Sequence, residues 1–406
     1  MRTTHGVARG LVVALAFVSA ACATPSLTQR REAAAPAISA LQRGAFEQAG
    51  EDARAKLASD GKNPYARLVR AIVTYEASMR ALSLDVRTLV IGGAAAGGIN
   101  HAYLRTSLEK AESALARVED DLAVVNDHPD LAVELCVACW DIDWNGNGRV
   151  DARDHVLLEI EQDEKGEPIP AGDPRRRPTF RFDHGDVAWA RAFVSFQRAL
   201  IDLVLAYDWS GLDPLIASRG RQRGEMVLRL AHAEKVRDAR RLILEGLARS
   251  DEARRAYLAE TDDDREWMPS PRQKSHPMPL PVDQPLYDTW EAAIRDLTRL
   301  VRGDEGLSLA DVARLLEPGI RNPPGGYLDI GGLLAHPKDL VVNPGDLERF
   351  DRTDDVAGMA RSVLGSGWKK EMSPSPLPSR LARMKAEVDR NDETFERKLR
   401  YFLWVN

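Results

Sequence analysis

Residues 143–154 carry oxygen-bearing side chains at intervals that would surround one metal ion. These side chains occupy positions 1, 3, 5, 9 and 12 of the stretch, and they belong to Asp143, Asn145, Asn147, Asp151 and Asp154. Arg149, at position 7, would contribute only its backbone carbonyl. Ca²⁺ is a hard cation that takes about six to eight oxygen ligands at about 2.3–2.6 Å. The spacing therefore predicts a Ca²⁺-binding loop with these six residues as ligands.

Two further positions support this register. Gly148 stands at position 6, where the backbone must turn sharply, and Val150 stands at position 8, where an apolar residue is expected to pin the loop to the core. A register that begins at Asp141 places Gly148 at position 8 and Ala152 at position 12, so it supplies neither the apolar residue nor the last carboxylate. The alternative to a metal site is a turn rich in Asp and Asn.

The loop resembles that of EF-hand proteins, and more closely its dockerin variant, which ends in Asp. The resemblance covers twelve residues of 406, so it implies a ligand set for calcium and no family for the whole chain. Asn145 and Asn147 are neutral, and Asp154 is one methylene shorter than Glu. We therefore expect a dissociation constant of about 10⁻⁴–10⁻³ M, as in extracellular modules.

The segments that flank the loop predict how it is held. Residues 131–140 contain β-branched and aromatic side chains, which favour a short strand paired with residues 179–182. The apolar spacing from Ala152 to Gln162 predicts an amphipathic helix after the loop.

Cys136 and Cys139 form a C-x-x-C pair just before the loop. In an oxidising compartment such a pair favours a structural disulfide, and buried free thiols are the alternative. A redox-active pair is expected at a helix N-terminus in a thioredoxin-like βαβ unit, and that pattern does not surround these residues. No histidine stands at zinc-finger spacing from them.

Residues 1–22 have the pattern of a signal peptide. Arg2 and Arg9 give a positive start, and residues 11–21 form an apolar run too short for a stable membrane span. Small residues immediately before Cys22 resemble a bacterial lipobox. That resemblance implies a lipid on Cys22, which anchors the protein to a membrane without spanning it. An ordinary secretory signal cut near the same position is the alternative.

The residues after the cysteine suggest where the protein goes. Ala23 follows Cys22, and this resembles the sorting pattern of Gram-negative lipoproteins that reach the outer membrane and face the periplasm. Residues 23–34 are polar with Ala and Pro, and we expect them to form a tether.

The rest of the chain predicts a mainly α fold, a helical bundle with a short two-stranded β element beside the calcium loop. Residues 35–260 form the predicted helical domain, residues 261–285 a Pro-rich connection, and residues 286–406 a C-terminal helical region packed on the body. Residues 44–49 resemble the turn of a tetratricopeptide repeat. A solenoid needs at least about three repeats, so we expect a repeat-like helical hairpin, with an ordinary antiparallel helix pair as the alternative.

Composition and motifs narrow the function only in part. The net charge of −6, with both signs interspersed, argues against a nucleic-acid surface. The sequence contains neither G-x-S-x-G nor H-E-x-x-H. We therefore expect a non-enzymatic, lipid-anchored, calcium-binding envelope protein that acts as a scaffold or binding module for a protein partner. The alternative is an envelope hydrolase or carbohydrate-acting enzyme with structural calcium, which would show two carboxylates about 5–10 Å apart in a Trp-lined cleft.

Overall fold

A computed structural model describes residues 25–96, 99–144, 147–151, 154, 159–163, 165–217, 226–261, 265–274, 276–278, 282–316, 323, 325–342 and 367–389. The protein is mainly helical with small antiparallel sheets, which confirms the predicted fold class. The predicted signal peptide and Cys22 lie outside the described residues.

The helices are α1 (Leu27–Ala33), α2 (Ala35–Gln42), α3 (Phe46–Ser59), α4 (Pro64–Ala96), α5 (His101–Asn126), α6 (His184–Leu205), α7 (Asp213–Ala217), α8 (Ala233–Ala259), α9 (Gln284–Arg302), α10 (Leu309–Leu316), α11 (Ile330–Ala335) and α12 (Leu377–Asp389). The strands are β1 (Val133–Leu135), β2 (Phe180–Phe182), β3 (Tyr207–Asp208), β4 (Met226–Leu230), β5 (Leu307–Ser308), β6 (Tyr327–Leu328), β7 (Leu340–Val342) and β8 (Trp368–Lys369).

The segment predicted as a tether is helical from Leu27 onward. The Ser26 hydroxyl accepts the Gln29 amide and the Gln29 side chain accepts the Ser26 amide, so a capping box begins α1. Ala34, at the end of α1, is buried in the core that α2, α3 and α4 share. Burial of this alanine and the capping box give the segment a fixed place, which its polar composition did not predict.

Helix α6 lies at the centre of the bundle and packs against both α5 and α8. Paired charges also join these helices. Glu119 of α5 accepts from Arg191 of α6 at 3.0 Å and from Arg249 of α8 at 2.8 Å. The Lys235 ammonium lies 2.7 Å from the Asp202 carboxylate, which is 3% exposed. Opposite charges thus meet where the helices pack, so few charges are buried alone.

The part of the chain that the structure describes contains three small antiparallel sheets. Strand β1 pairs with β2 in the register Val133↔Phe182, Glu134↔Arg181 and Leu135↔Phe180, which confirms the predicted β element. Strands β3, β4 and β7 form a second sheet, and β5, β6 and β8 form a third.

The C-terminal helices contact the body through polar groups as well as apolar ones. The Trp290 indole of α9 donates to the Ser250 hydroxyl of α8 at 2.9 Å. The Arg240 guanidinium of α8 donates to the Val301 carbonyl near the end of α9 at 3.0 Å. Among the described residues, no helix combines the length and the hydrophobicity that a bilayer crossing requires.

Candidate functional site

The predicted calcium loop is wound around its first carboxylate. Asp143 Oδ1 accepts the Asn147 amide at 3.1 Å, and Oδ2 accepts the Gly148 amide at 2.8 Å. Gly148 has φ +81°, a left-handed conformation that favours glycine. A carboxylate has about four acceptor sites, so both Asp143 oxygens keep capacity for a cation.

The second half of the loop closes on its last carboxylate. Asp154 is 4% exposed, and its Oδ2 accepts the Asp151 amide at 2.9 Å. Asn147 connects the two halves, because its Nδ2 donates to Asp151 Oδ2 at 3.2 Å and its Oδ1 accepts the Arg149 amide at 2.8 Å. The described part of the loop thus contains carboxylate, amide and carbonyl oxygens, which are ligand types that suit Ca²⁺. It does not bring Asp143, Asp151 and Asp154 all within 4.8 Å of one another.

Other features of the loop differ from the expectation or are not described. Val150 is 41% exposed, so it does not pin the loop to the core. Ile142, immediately before the loop, is 5% exposed and is the apolar residue buried there. Arg149 is exposed at position 7, where only its carbonyl is expected to bind. Asn145 lies outside the described residues.

The segment after the loop is not the uniform helix that its apolar spacing predicted. Residues 159–163 are not helical, and Gln162 forms an isolated bridge with Pro168. The Ile160 amide donates to the Arg176 carbonyl at 2.9 Å, and Ile160 is buried. Backbone pairing with the 163–178 loop therefore replaces helical pairing at this end. Residues 155–158 lie outside the described part of the chain.

The entry to the loop is attached to the first helical hairpin. The Trp140 indole donates to the Leu41 carbonyl at 2.9 Å and packs edge-on against Phe46, with ring centroids 5.2 Å apart. A disulfide joins Cys136 and Cys139 across the single turn that precedes Trp140. Sequence analysis identified each of these segments and did not predict that they meet.

A second group of carboxylates lies at the start of α6. Asp183, Asp186 and Glu266 are 8%, 4% and 1% exposed, and each offers a carboxylate oxygen within 4.8 Å of the others. This buried acidic triad could hold a metal ion. Arg181 Nη1 lies 2.9 Å from Asp183 Oδ2 and 3.4 Å from Glu266 Oε1, so one guanidinium already offsets part of the negative charge.

The triad also has a structural role. Asp183 and Asp186 form the capping box of α6, because Asp183 Oδ1 accepts the Gly185 amide and Asp186 Oδ2 accepts the Asp183 amide, both at 3.0 Å. The Tyr257 hydroxyl donates to Asp186 Oδ1 at 2.9 Å. Burial, with the nearby Asp183 charge, raises the pKa of Asp186 to about 8. A proton on Asp186 therefore stabilises the triad near neutral pH.

The β1–β2 pair joins the two carboxylate sites. Strand β1 leads through the disulfide turn to the loop, and β2 leads directly to Asp183. Glu266 reaches the triad because it pairs with Arg181 in an isolated parallel bridge. The triad was not predicted from the sequence, and Glu266 was not among the predicted site residues. Its place beside a Pro-rich stretch gives no spacing signal for the triad.

Comparison of the chain with protein-family models, with curated proteins and with solved structures finds no match.

Proposed function

We propose that this protein is a calcium-stabilised helical binding module of the bacterial envelope, anchored by a lipid on Cys22. The observation that carries the calcium part is the winding of the 143–154 loop. Asp143 accepts two successive amides, and a nearly buried Asp154 closes the loop. Asp143, Asp151 and Asp154 do not all lie within 4.8 Å of one another in this structure, so the proposal rests on the order of the ligands in the loop and on its winding.

Calcium in this loop would stabilise the contact between separate parts of the fold. Trp140 precedes the loop and packs on the α2–α3 hairpin, whereas Asp154 is buried at its other end. The unfolded chain cannot hold the ligands together, so binding favours the folded state. A binding module that leaves the cytoplasm would then be most stable where free calcium is high.

Two observations support a binding role over a catalytic one. The buried acidic triad brings three carboxylates together, yet each is at most 8% exposed, so a substrate would not reach them in this conformation. Asp183 and Asp186 also form the capping box of α6. We therefore do not propose a hydrolase.

The proposed lipid anchor is supported by the sequence alone, through the lipobox-like residues that end at Cys22.

Terbium luminescence tests the calcium site. Trp144 lies at loop position 2 and Trp140 lies just before the loop, so excitation of tryptophan should sensitise Tb³⁺ bound there. Added Ca²⁺ should reduce the emission by competition. Asp143→Ala should abolish the Ca²⁺-sensitive emission, and Asp130→Ala, which removes an exposed carboxylate outside the loop, should leave it unchanged.

The same measurement separates the loop from the buried triad. Trp267 follows Glu266 directly, so Tb³⁺ at the triad would also be sensitised. Emission that persists in Asp143→Ala and disappears in Glu266→Gln would place the ion at the triad and would refute the loop as the calcium site.

Fatty-acid labelling tests the lipid anchor. The wild type should be labelled, and Cys22→Ser should not. Equal labelling of the two proteins would refute a lipid on Cys22.

A further inference from the structure

A cavity of about 380 Å³ lies between the 163–178 loop and residues 276–278. Its floor is apolar, because Ile160, Ile169 and Met278 are at most 7% exposed and all line it. Small-molecule sites usually have about 300–1,000 Å³, apolar walls and a few polar groups that orient the ligand. The volume and the floor of this cavity fit that description.

Two cations stand at the rim of the cavity. Lys165 is exposed, and its ammonium makes no ion pair with any described residue. The Arg175 guanidinium is held by Asp173, whose Oδ2 accepts from Nη2 at 2.7 Å and from Nε at 3.2 Å. In the described part of the chain Nη1 of Arg175 has no hydrogen-bond partner, so it remains available to a ligand.

The other charged residues near the cavity are paired elsewhere, so Lys165 and Arg175 are the charged donors that a ligand would meet. Arg176 and Arg177 both pair with Glu159, at 2.8 and 2.7 Å, so they do not serve the cavity. Asp163 also lines it, but its Oδ1 accepts the amides of Lys165 and Glu167, both at 2.9 Å. The Glu167 amide is the main cause that lowers the pKa of Asp163, and the charges of Lys165 and Arg175 also contribute. The Asp163 carboxylate therefore offsets part of the positive charge at the rim, while its hydrogen bonds go to the loop backbone.

His276 adds a further polar group to the lining of the cavity. Its Nδ1 lies 2.9 Å from the Met278 carbonyl, which can only accept, so Nδ1 carries the proton. Nε2 of the neutral ring is then an acceptor, and a ligand hydroxyl or a protonated carboxyl could donate to it. The cavity therefore combines an apolar floor with two cations and one neutral acceptor in its lining.

We propose that this cavity binds a small amphipathic anion, an apolar body that ends in one carboxylate. The apolar body would pack on Ile160, Ile169 and Met278, and the carboxylate would lie between Lys165 Nζ and Arg175 Nη1. A carboxylate that accepts from two charged donors gains charge-assisted hydrogen bonds, which are stronger than neutral ones. The inference names a ligand class for the proposed binding module, yet it does not depend on calcium in the 143–154 loop.

Isothermal titration with octanoate, octanol and octylamine tests this assignment on the intact chain. The three probes share one apolar body and differ in the head group. Octanoate should bind tightest, octanol about 3- to 10-fold more weakly, and octylamine weakest because both cations repel it. Equal binding of octanoate and octanol, tighter binding of octylamine, or no saturable binding of octanoate would overturn the proposal.

Variants place the binding in the cavity. Lys165→Gln and Arg175→Gln should each lower octanoate affinity about 3- to 10-fold, and octanol affinity should not change. Both side chains are exposed, so circular dichroism should show an unaltered fold. Lys62→Gln, an exposed lysine on the α3–α4 turn, should leave the affinity unchanged. An equal loss in Lys62→Gln would show general charge attraction and overturn the site.

The titration is repeated with excess calcium and with chelator. Asp143→Ala should lose its terbium signal and still bind octanoate. This result would support the cavity independently of the loop. Calcium binding by a protein that does not bind octanoate would refute the cavity alone.

Discussion

The Trp140 indole donates a hydrogen bond to the Leu41 carbonyl at 2.9 Å, across 99 residues of chain. The same ring lies over the left-handed turn at Gly44, where φ is +71°. A side chain added at Gly44 would meet Trp140 Cδ1 at 3.3 Å. The residues that resemble a repeat turn thus contact Trp140, which directly precedes the predicted calcium loop.

Gly44→Ala should therefore lower the unfolding free energy by more than the cost of placing an alanine in a left-handed conformation. Gly172 is the matched control, because it has φ +82° and no atom near its added methyl group. Both substitutions should cost about 1 kcal/mol for the backbone conformation, and Gly44→Ala should add the cost of displacing Trp140. Urea unfolding of both variants measures the difference. Equal losses of unfolding free energy in the two variants would show that Trp140 moves aside at no measurable cost.

The cysteine pair predicts a thiol count. Cys22→Ser leaves only Cys136 and Cys139, and the structure joins these by a disulfide. Denatured, unreduced Cys22→Ser protein from the envelope should show no free thiol, and reduction should release two per chain. Because the closed loop is so short, Cys136→Ser with Cys139→Ser should change the unfolding free energy little. Two thiols before reduction would contradict the disulfide.

The raised pKa of Asp186 predicts how stability depends on pH. The folded protein keeps a proton on Asp186 up to a pKa of about 8, whereas the unfolded chain releases it near 4. This contribution to stability is therefore full below about pH 4, declines as the pH rises, and is lost above about pH 8. At most the slope is about 1.4 kcal/mol per pH unit.

Asp186→Asn should flatten this decline, because the amide does not titrate. Thermal unfolding from pH 5 to pH 8 measures the slope for the wild type and the variant, with Asp130→Asn as an exposed control. The wild type and the control should lose stability in parallel over this range. A wild-type slope that the Asp186 variant retains would assign the titration to another group.

Local signals in the sequence predicted much of the fold. The pairing of β1 with β2 followed from β-branched and aromatic content, and the register is now given by Val133↔Phe182. Asp183 directly precedes α6 and caps it, because its side chain accepts the Gly185 amide. Ser308 directly precedes α10 and caps it in the same way, because its hydroxyl accepts the Asp311 amide at 3.2 Å. Caps and strand patterns act within a few residues, so they can be recognised from the sequence.

The features that sequence analysis missed depend on distant contacts. Glu266 joins Asp183 and Asp186 only because its backbone bridges to Arg181, 85 residues away. Val150 is 41% exposed, although its loop position predicted a buried side chain, whereas Ile142, just before the loop, is 5% exposed. Tertiary packing decides such cases, and a single sequence carries no periodic signal for it.

The most direct test of calcium binding is the unfolding free energy in calcium and in chelator. With free Ca²⁺ at about 100 times the dissociation constant, the wild type should gain about 2.7 kcal/mol, and Glu266→Gln should gain the same. Asp143→Ala should gain nothing, because it lacks the first ligand of the loop. Wild-type protein that unfolds identically in both solutions, or an Asp143→Ala variant that keeps the gain, would contradict the assignment of calcium to residues 143–154.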